Sequence, residues 1–220
     1  MQAAAIVPGH TEEGGIMLEA LRHGLRNLLN FQGRDARQAF WYYALLVYAA
    51  IVAVTMLFAV PMMVQAVMAA VRETVAAGPS QDPAAAQMQV QAAAIRSISG
   101  AISSLVAVST VVNLLMLALL AASFVRRLHD ANLSGLWALL PGTMQLVNII
   151  ITPGLTRKAM ATMDLAMSQT DDPAAAFRAM QSSVQAASLL GWAGILVVVV
   201  LGMRKSTPGP NRYGDEPFVV

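Results

Sequence analysis

The chain has 220 residues, of which 57% are hydrophobic and only 12% charged, with a formal net charge of +2 and no Cys. A soluble domain typically carries about a quarter charged residues, so half that fraction points to a membrane protein. The lack of Cys excludes a disulfide frame, a thiolate nucleophile and a cysteine metal site, and the small, scattered positive charge gives no nucleic-acid footprint.

The first fifteen residues, "MQAAAIVPGHTEEGG", lack a basic region followed by an apolar core. No cleaved signal peptide is expected, and 1–15 reads as a flexible tail. In "IMLEALRHGLRNLLNF", Leu18, Leu21, Leu25, Leu28 and Phe31 recur at helical spacing, with Arg22, His23, Arg26 and Asn27 turned away. An apolar stripe opposite a basic one predicts an amphipathic helix lying in a membrane interface.

A single helical membrane domain is expected over 16–204. A bilayer core about 30 Å thick needs roughly 20 apolar residues in a helix, and four stretches qualify. The first span, over 40–64, opens on the aromatic cluster "FWYY", which suits the headgroup boundary. The second is placed at 103–125 and the third at 133–155, where Pro141 and Pro153 interrupt the pattern. A fourth, at 184–203, borrows residues near Val184 to reach full length. The segment 205–220 is a C-terminal tail.

Between spans one and two, and again between three and four, lie Ala-rich segments over 65–100 and 156–183. Each contains Asp, then Pro, then a run of Ala, at Asp82-Pro83 and Asp172-Pro173. Asp before a Pro in the first turn is a helix start, so helices should begin near Asp82 and Asp172 and run unbroken into spans two and four. The loops beginning at Ser80 and Thr170 then become the tips of two helical hairpins. Their small faces, Ala84, Met88, Ala92 and Ile95 in one and Ala176, Met180, Val184 and Ala187 in the other, suit close mutual packing or a docking partner.

Cytoplasmic segments collect Lys and Arg. Nine such residues fall on the side holding the N-terminal segment, the middle turn and the C-terminus, against five in the two hairpins. Both termini are therefore expected in the cytoplasm and both hairpins in the periplasm.

Three stretches carry a resemblance: "NFQGRDARQAFWYYALLVY", "RRLHDANLSGLWALLP" and "STPGPNRYGDEP". In this order they resemble the bacterial inner-membrane family called domain of unknown function 805. Ser206-Thr207 stands where the family usually has Gly-Thr, and the two Ala-rich hairpins look like insertions. The family has no established activity, so the resemblance implies an inner-membrane location and a candidate site without a mechanism.

The expected topology gathers the three motifs at the cytoplasmic face, giving a candidate cluster of Arg34, Arg37, Arg126, Arg127, His129, Asp130, Asn211, Arg212 and Tyr213. Guanidiniums hold carboxylate or phosphate by paired hydrogen bonds, so Asp130 should pair with one of the Arg residues, with His129 bonding across the turn. The surplus cations could hold an anionic lipid headgroup. His129 beside Asp130 suggests a dyad, but Ser134, the only local nucleophile, reads more simply as the N-cap of the next helix. His10, His23 and His129 have no metal-ligand spacing, and no cofactor is expected.

The function expected is therefore a non-enzymatic structural or accessory membrane protein. Its partners would be membrane lipids, anionic phospholipid among them, and a membrane complex or second copy reached through the hairpins. A small transporter using Asn113, Gln145 and Asn148 is the alternative, and a membrane-bound enzyme ranks below it.

Overall fold

The computed structural model describes residues 13–78, 82–169 and 173–217. Every long element among them is helical: α1 (Glu13–Arg26), α2 (Arg37–Ala77), α3 (Pro83–Asp130), α4 (Leu139–Gln169) and α5 (Pro173–Gly202). A short 3-10 turn, Gly135–Ala138, leads into α4.

Three apolar stretches are long enough to cross a membrane: Arg37–Ala76, Gly100–Asp130 and Gly135–Ala166. Within the fourth expected span the described residues give a shorter apolar helix, Ser188–Gly202, about 22 Å at 1.5 Å per residue. The described chain thus has three helices of spanning length and a shorter apolar fourth within α5.

Local chemistry explains where these helices begin and end. α2 runs well beyond its predicted span, carrying Pro61 in its interior, and stops where Gly78 adopts φ +74 and its N–H bonds the Val75 carbonyl. That left-handed residue just past a helix end is the position glycine occupies without strain. α3 starts at Pro83, with the Asp82 carbonyl accepting from Ala86 N at 3.0 Å, and runs 48 residues without a break. Its far end is closed by Asn132 at φ 55, with Leu133 N bonded to Leu128 O and Asn132 N to His129 O. This paired pattern absorbs two otherwise orphaned carbonyls. Ser134 then caps the 3-10 turn by accepting from Leu136 N, the capping role its sequence position predicts.

Neither proline divides the third span. Pro141 sits in the first turn of α4, where its missing N–H is not needed, and Pro153 is carried inside the continuous helix. In the hairpins, the tips at Ser80 and Thr170 and Asp172 lie outside the described residues. So do the side chains of Ala84, Met88, Ala92, Ile95, Ala176, Met180, Val184 and Ala187.

The chain forms two compact units. One comprises Met1–Ala49, Met116–Gly142 and Ile195–Val220. Its core is Phe40, Phe124 and Leu128, edged by Trp41, Ala44, Leu133, Val198 and Leu201. Gly202 lies so close that an added Cβ would stand 3.1 Å from both Phe40 and Trp41. The other unit comprises Ala50–Leu115 and Thr143–Gly194. Its buried positions are mostly alanines, Ala66, Ala93, Ala101 and Ala159, as expected where helices approach closely without a hydrophobic drive between them.

α1 meets the protein through its small residues. The face packed on the protein is small: Ala20 is buried, and a Cβ on Gly24 would lie 2.4 Å from the buried Tyr43 ring. Leu18, Leu25 and Phe31 are exposed, leaving apolar side chains free to meet lipid. The helix ends at Arg26, short of Phe31, and His23, expected to turn away, reaches Asp35. Gly24→Val should therefore detach α1, lowering thermal stability in mild detergent by roughly 1–3 kcal/mol and opening residues 16–30 to protease. A variant as protease-resistant as the wild type would refute that packing.

Candidate functional site

The site is built on one face of the last two turns of α3. Ser123, Arg126, Arg127 and Asp130 follow the i, i+3, i+4, i+7 spacing of a single stripe, and all four are buried, Arg127 and Asp130 with 0% exposure. Arg34 and Asp35, from the turn before α2, are buried with them. A charge can stay in such surroundings only if paired and hydrogen-bonded.

Asp130 is shared by two guanidiniums. Arg34 donates to Oδ1 through Nε at 3.1 Å and Nη2 at 2.9 Å, while Arg127 Nη1 donates to Oδ2. The main-chain acceptors are carbonyls at the end of α5 and in the C-terminal tail. Arg34 reaches Gly209 O at 2.7 Å and Thr207 O at 2.6 Å; Arg127 reaches Gly202 O at 3.0 Å and Arg204 O. The Asp130 carbonyl in turn accepts from Thr207 N at 2.9 Å. One carboxylate thus ties the α2 entry, the α3 end and the tail.

Asp35 forms the second centre. Its Oδ1 accepts from Arg126 Nε at 2.9 Å and from His23 Nε2 at 3.1 Å, and its Oδ2 from Ser123 Oγ at 2.8 Å. Arg126 Nη1 donates to the Asn27 carbonyl at 2.7 Å and to that of Asn30. Burial alone pushes the Asp35 carboxyl up, but the hydrogen bonds from His23, Arg126 and Ser123 and the Arg126 charge outweigh it and hold the group below its ordinary value. Arg126 Nη2 is the one buried side-chain nitrogen or oxygen among the described residues that finds no acceptor.

The tail motif forms a third patch. The His129 ring stacks on Tyr213 with centroids 3.8 Å apart and planes 5° from parallel, and its Nδ1 lies 3.2 Å from Gly33 O. The guanidinium carbon of Arg212 sits 4.7 Å from the Tyr213 centroid, in cation–π range. Asn211 donates to the His129 carbonyl at 3.0 Å, and its own Oδ1 accepts from Tyr213 N at 2.9 Å. Gly135 leaves room for this packing, since a Cβ there would meet Val125 at 2.8 Å and His129 Nε2 at 3.1 Å.

Of the candidate residues, Arg34, Arg127 and Asp130 thus meet in one network. Arg126 joins a second, and His129, Asn211, Arg212 and Tyr213 a third. Arg37 is exposed at the first turn of α2 and makes no hydrogen bond or ion pair among the described residues. His129 and Asp130, adjacent in sequence, serve different networks: the carboxylate is taken by two Arg residues, the imidazole by Gly33 and Tyr213. Ser134 Oγ is used in its cap. Sequence reasoning missed Ser123, which the stripe spacing could have revealed, and His23, for which nothing local signals a contact twelve residues away.

The sequence model of the family described as protein of unknown function (DUF805) matches residues 28–215, and the chain belongs to that family. No curated protein matches the chain. No solved structure matches it either. The matched stretch holds Asp35, Asp130, their Arg partners and the tail motif, whereas α1, with His23 and Gly24, precedes it.

Replacing Asp130 by Asn leaves Arg34 and Arg127 buried without their counter-charge. Thermal unfolding in mild detergent should show a loss of roughly 3–5 kcal/mol, whereas Arg37→Gln should change stability by no more than about 0.5 kcal/mol. Equal effects would refute the assignment of the pairing to Asp130.

Acid should act through Asp35. Its folded pKa lies below the unfolded one, so the unfolded chain binds more protons between the two. The resulting stability is complete above the ordinary carboxyl value of about 4 and is lost as pH falls through the lowered one. Asp35→Asn should be less stable at neutral pH and lose part of the acid dependence. A variant with an unchanged acid-unfolding midpoint and slope would show that Asp35 does not contribute.

Proposed function

We propose that this chain is a non-enzymatic structural or accessory protein of the bacterial inner membrane, built to fix the ends of its helices and its tail in one arrangement. The observation that carries this reading is the use made of the buried cations. Arg34, Arg126 and Arg127 spend their donors on two carboxylates and on carbonyls at Asn27, Asn30, Gly202, Arg204, Thr207 and Gly209. Such a network ties segments together, and the one hydroxyl within it, Ser123 Oγ, is spent on donating to Asp35.

In this reading α5 supplies a fourth span over 184–203, both termini face the cytoplasm, and the two hairpins face the periplasm, where they meet a partner complex or a second copy. The nine-to-five distribution of Lys and Arg supports that orientation. Three buried guanidiniums face two buried carboxylates, and Arg126 Nη2 lacks an acceptor. That surplus supports an anionic lipid headgroup on this side.

The transport alternative draws less support. Gln145 Nε2 donates to Asn113 Oδ1 at 3.0 Å, and Asn113 Nδ2 to Ser109 O at 2.7 Å. Amides bonded in this way suit helix packing.

Because the chain has no Cys, Ser80→Cys provides a single label. In intact cells it should react with a membrane-impermeant maleimide, and a cysteine at Asp215 should react only after the inner membrane is breached. The reverse pattern would invert the topology. Mass spectrometry of protein purified in mild detergent should identify co-purifying protein or anionic phospholipid; a stably folded, delipidated monomer that rebinds neither would defeat the accessory reading.

A further inference from the structure

A second feature lies within the other unit, apart from the Arg–Asp network. α3 and α4 are joined there by the Gln145–Asn113 hydrogen bond, and the turn between them makes them antiparallel. Counting outward from that bond brings Ser103 on α3 level with Pro153 to Arg157 on α4. Between these segments the helices leave an open cleft of about 330 Å³.

The walls of the cleft present mostly apolar surface, with hydroxyls at Ser103, Thr110 and Thr156. Val106 and Ala107 line one side, and the Thr110 hydroxyl is turned back onto the Val106 carbonyl at 2.8 Å. Pro153 contributes a ring and no N–H to the other side. Both walls lie inside apolar stretches long enough to span a membrane, Gly100–Asp130 and Gly135–Ala166. A gap in such surroundings deprives its lining of dispersion contacts, and hydrocarbon is the material the bilayer supplies to fill it.

One end of the cleft has a different chemistry. Arg157 lines it, exposed, and makes no hydrogen bond or ion pair among the described residues; exposed Lys158 follows. From that end to Thr110 the α3 wall is seven residues, about 10 Å at 1.5 Å per residue. An apolar trough with a guanidinium at its mouth complements an amphiphile whose anionic group lies at one end of a chain. A guanidinium fork holds phosphate by two parallel hydrogen bonds.

We propose that the cleft between α3 and α4 holds one acyl chain of an anionic phospholipid, with the lipid phosphate gripped by Arg157. This site is separate from the headgroup contact proposed at the Arg–Asp network, since none of its lining residues belongs to that unit.

The test uses the full chain in mild detergent with phosphatidylglycerol carrying a diazirine in its acyl chain. Crosslinks should map to peptides containing 103–110 and 153–157, and phosphatidylglycerol should be retained in preference to phosphatidylcholine. Arg157→Gln should lower phosphatidylglycerol retention about tenfold, as expected for losing a charged hydrogen-bonding fork, with phosphatidylcholine unchanged. Ala107→Phe, which fills the trough, should abolish the crosslinks of both lipids while circular dichroism reports a folded helical protein. Crosslinks mapping elsewhere, equal retention of the two lipids by the wild type, or full crosslinking of Ala107→Phe would each overturn the proposal. Crosslinks confined to 27–37 or 123–130 would do so too, while leaving the headgroup contact at the Arg–Asp network standing.

Discussion

The structure around the first unit depends on one carboxylate. Asp130 has no exposed surface and sits between Arg34 and Arg127, so its charge is compatible with burial only while both guanidiniums stay in place. Holding Arg34 fixes the turn before α2. Holding Arg127 fixes the end of α5 and the start of the tail, because the other donors of the two guanidiniums reach carbonyls from Gly202 to Gly209. Carbonyl acceptors are informative partners, since each is attached to backbone and specifies a chain path. A Lys at either position would supply a point charge without the fork that reaches a carboxylate and two carbonyls at once.

The same demand accounts for the special turns nearby. Gly33, Gly209 and Gly214 all have positive φ, and all three supply carbonyls directly to the network: Gly33 to His129, Gly209 and Gly214 to Arg34. A residue with a Cβ would strain these positions, and the displaced carbonyl would leave a buried donor unsatisfied. The glycines before α2 and after α5 are therefore conformational partners of the Arg-Arg-Leu-His-Asp segment. Buried ion networks add little net stability compared with an apolar core of equal volume, and the specification of one arrangement is a better account of their value here.

The parts legible in the sequence were those governed by local chemistry. Apolar length located the helices, Asp82-Pro83 marked the start of α3, and Ser134 announced its cap. The Arg-Arg-Leu-His-Asp motif pointed to a charged cluster at the end of α3. Long-range geometry was not legible: Asp130 takes two Arg residues where one was expected, and His129 turns away from its neighbour. The packing of α1 shows why. Its leucines carry the strong periodic signal, yet the protein-facing side is Ala20 and Gly24, selected by close approach to Tyr43. Hydrophobic periodicity marks the apolar stripe but not the small residues that pack. Where lipid can be outside, large apolar side chains face outward and small ones mark the contact.

The two Arg–Asp centres also differ in reach. The Asp130 centre uses only segments inside the family match, whereas the Asp35 centre reaches beyond it to His23 and to the Asn27 carbonyl, which fasten α1. Asp35 would be satisfied by Arg126 and Ser123 without His23, and the His23 side chain is about half exposed, so α1 is an addition to a network already closed by its own members. Arg126 differs: two of its contacts are carbonyls of the α1–α2 connection, and its Nη2 has none. The least satisfied buried cation in the unit therefore lies beside the helix whose leucines face outward.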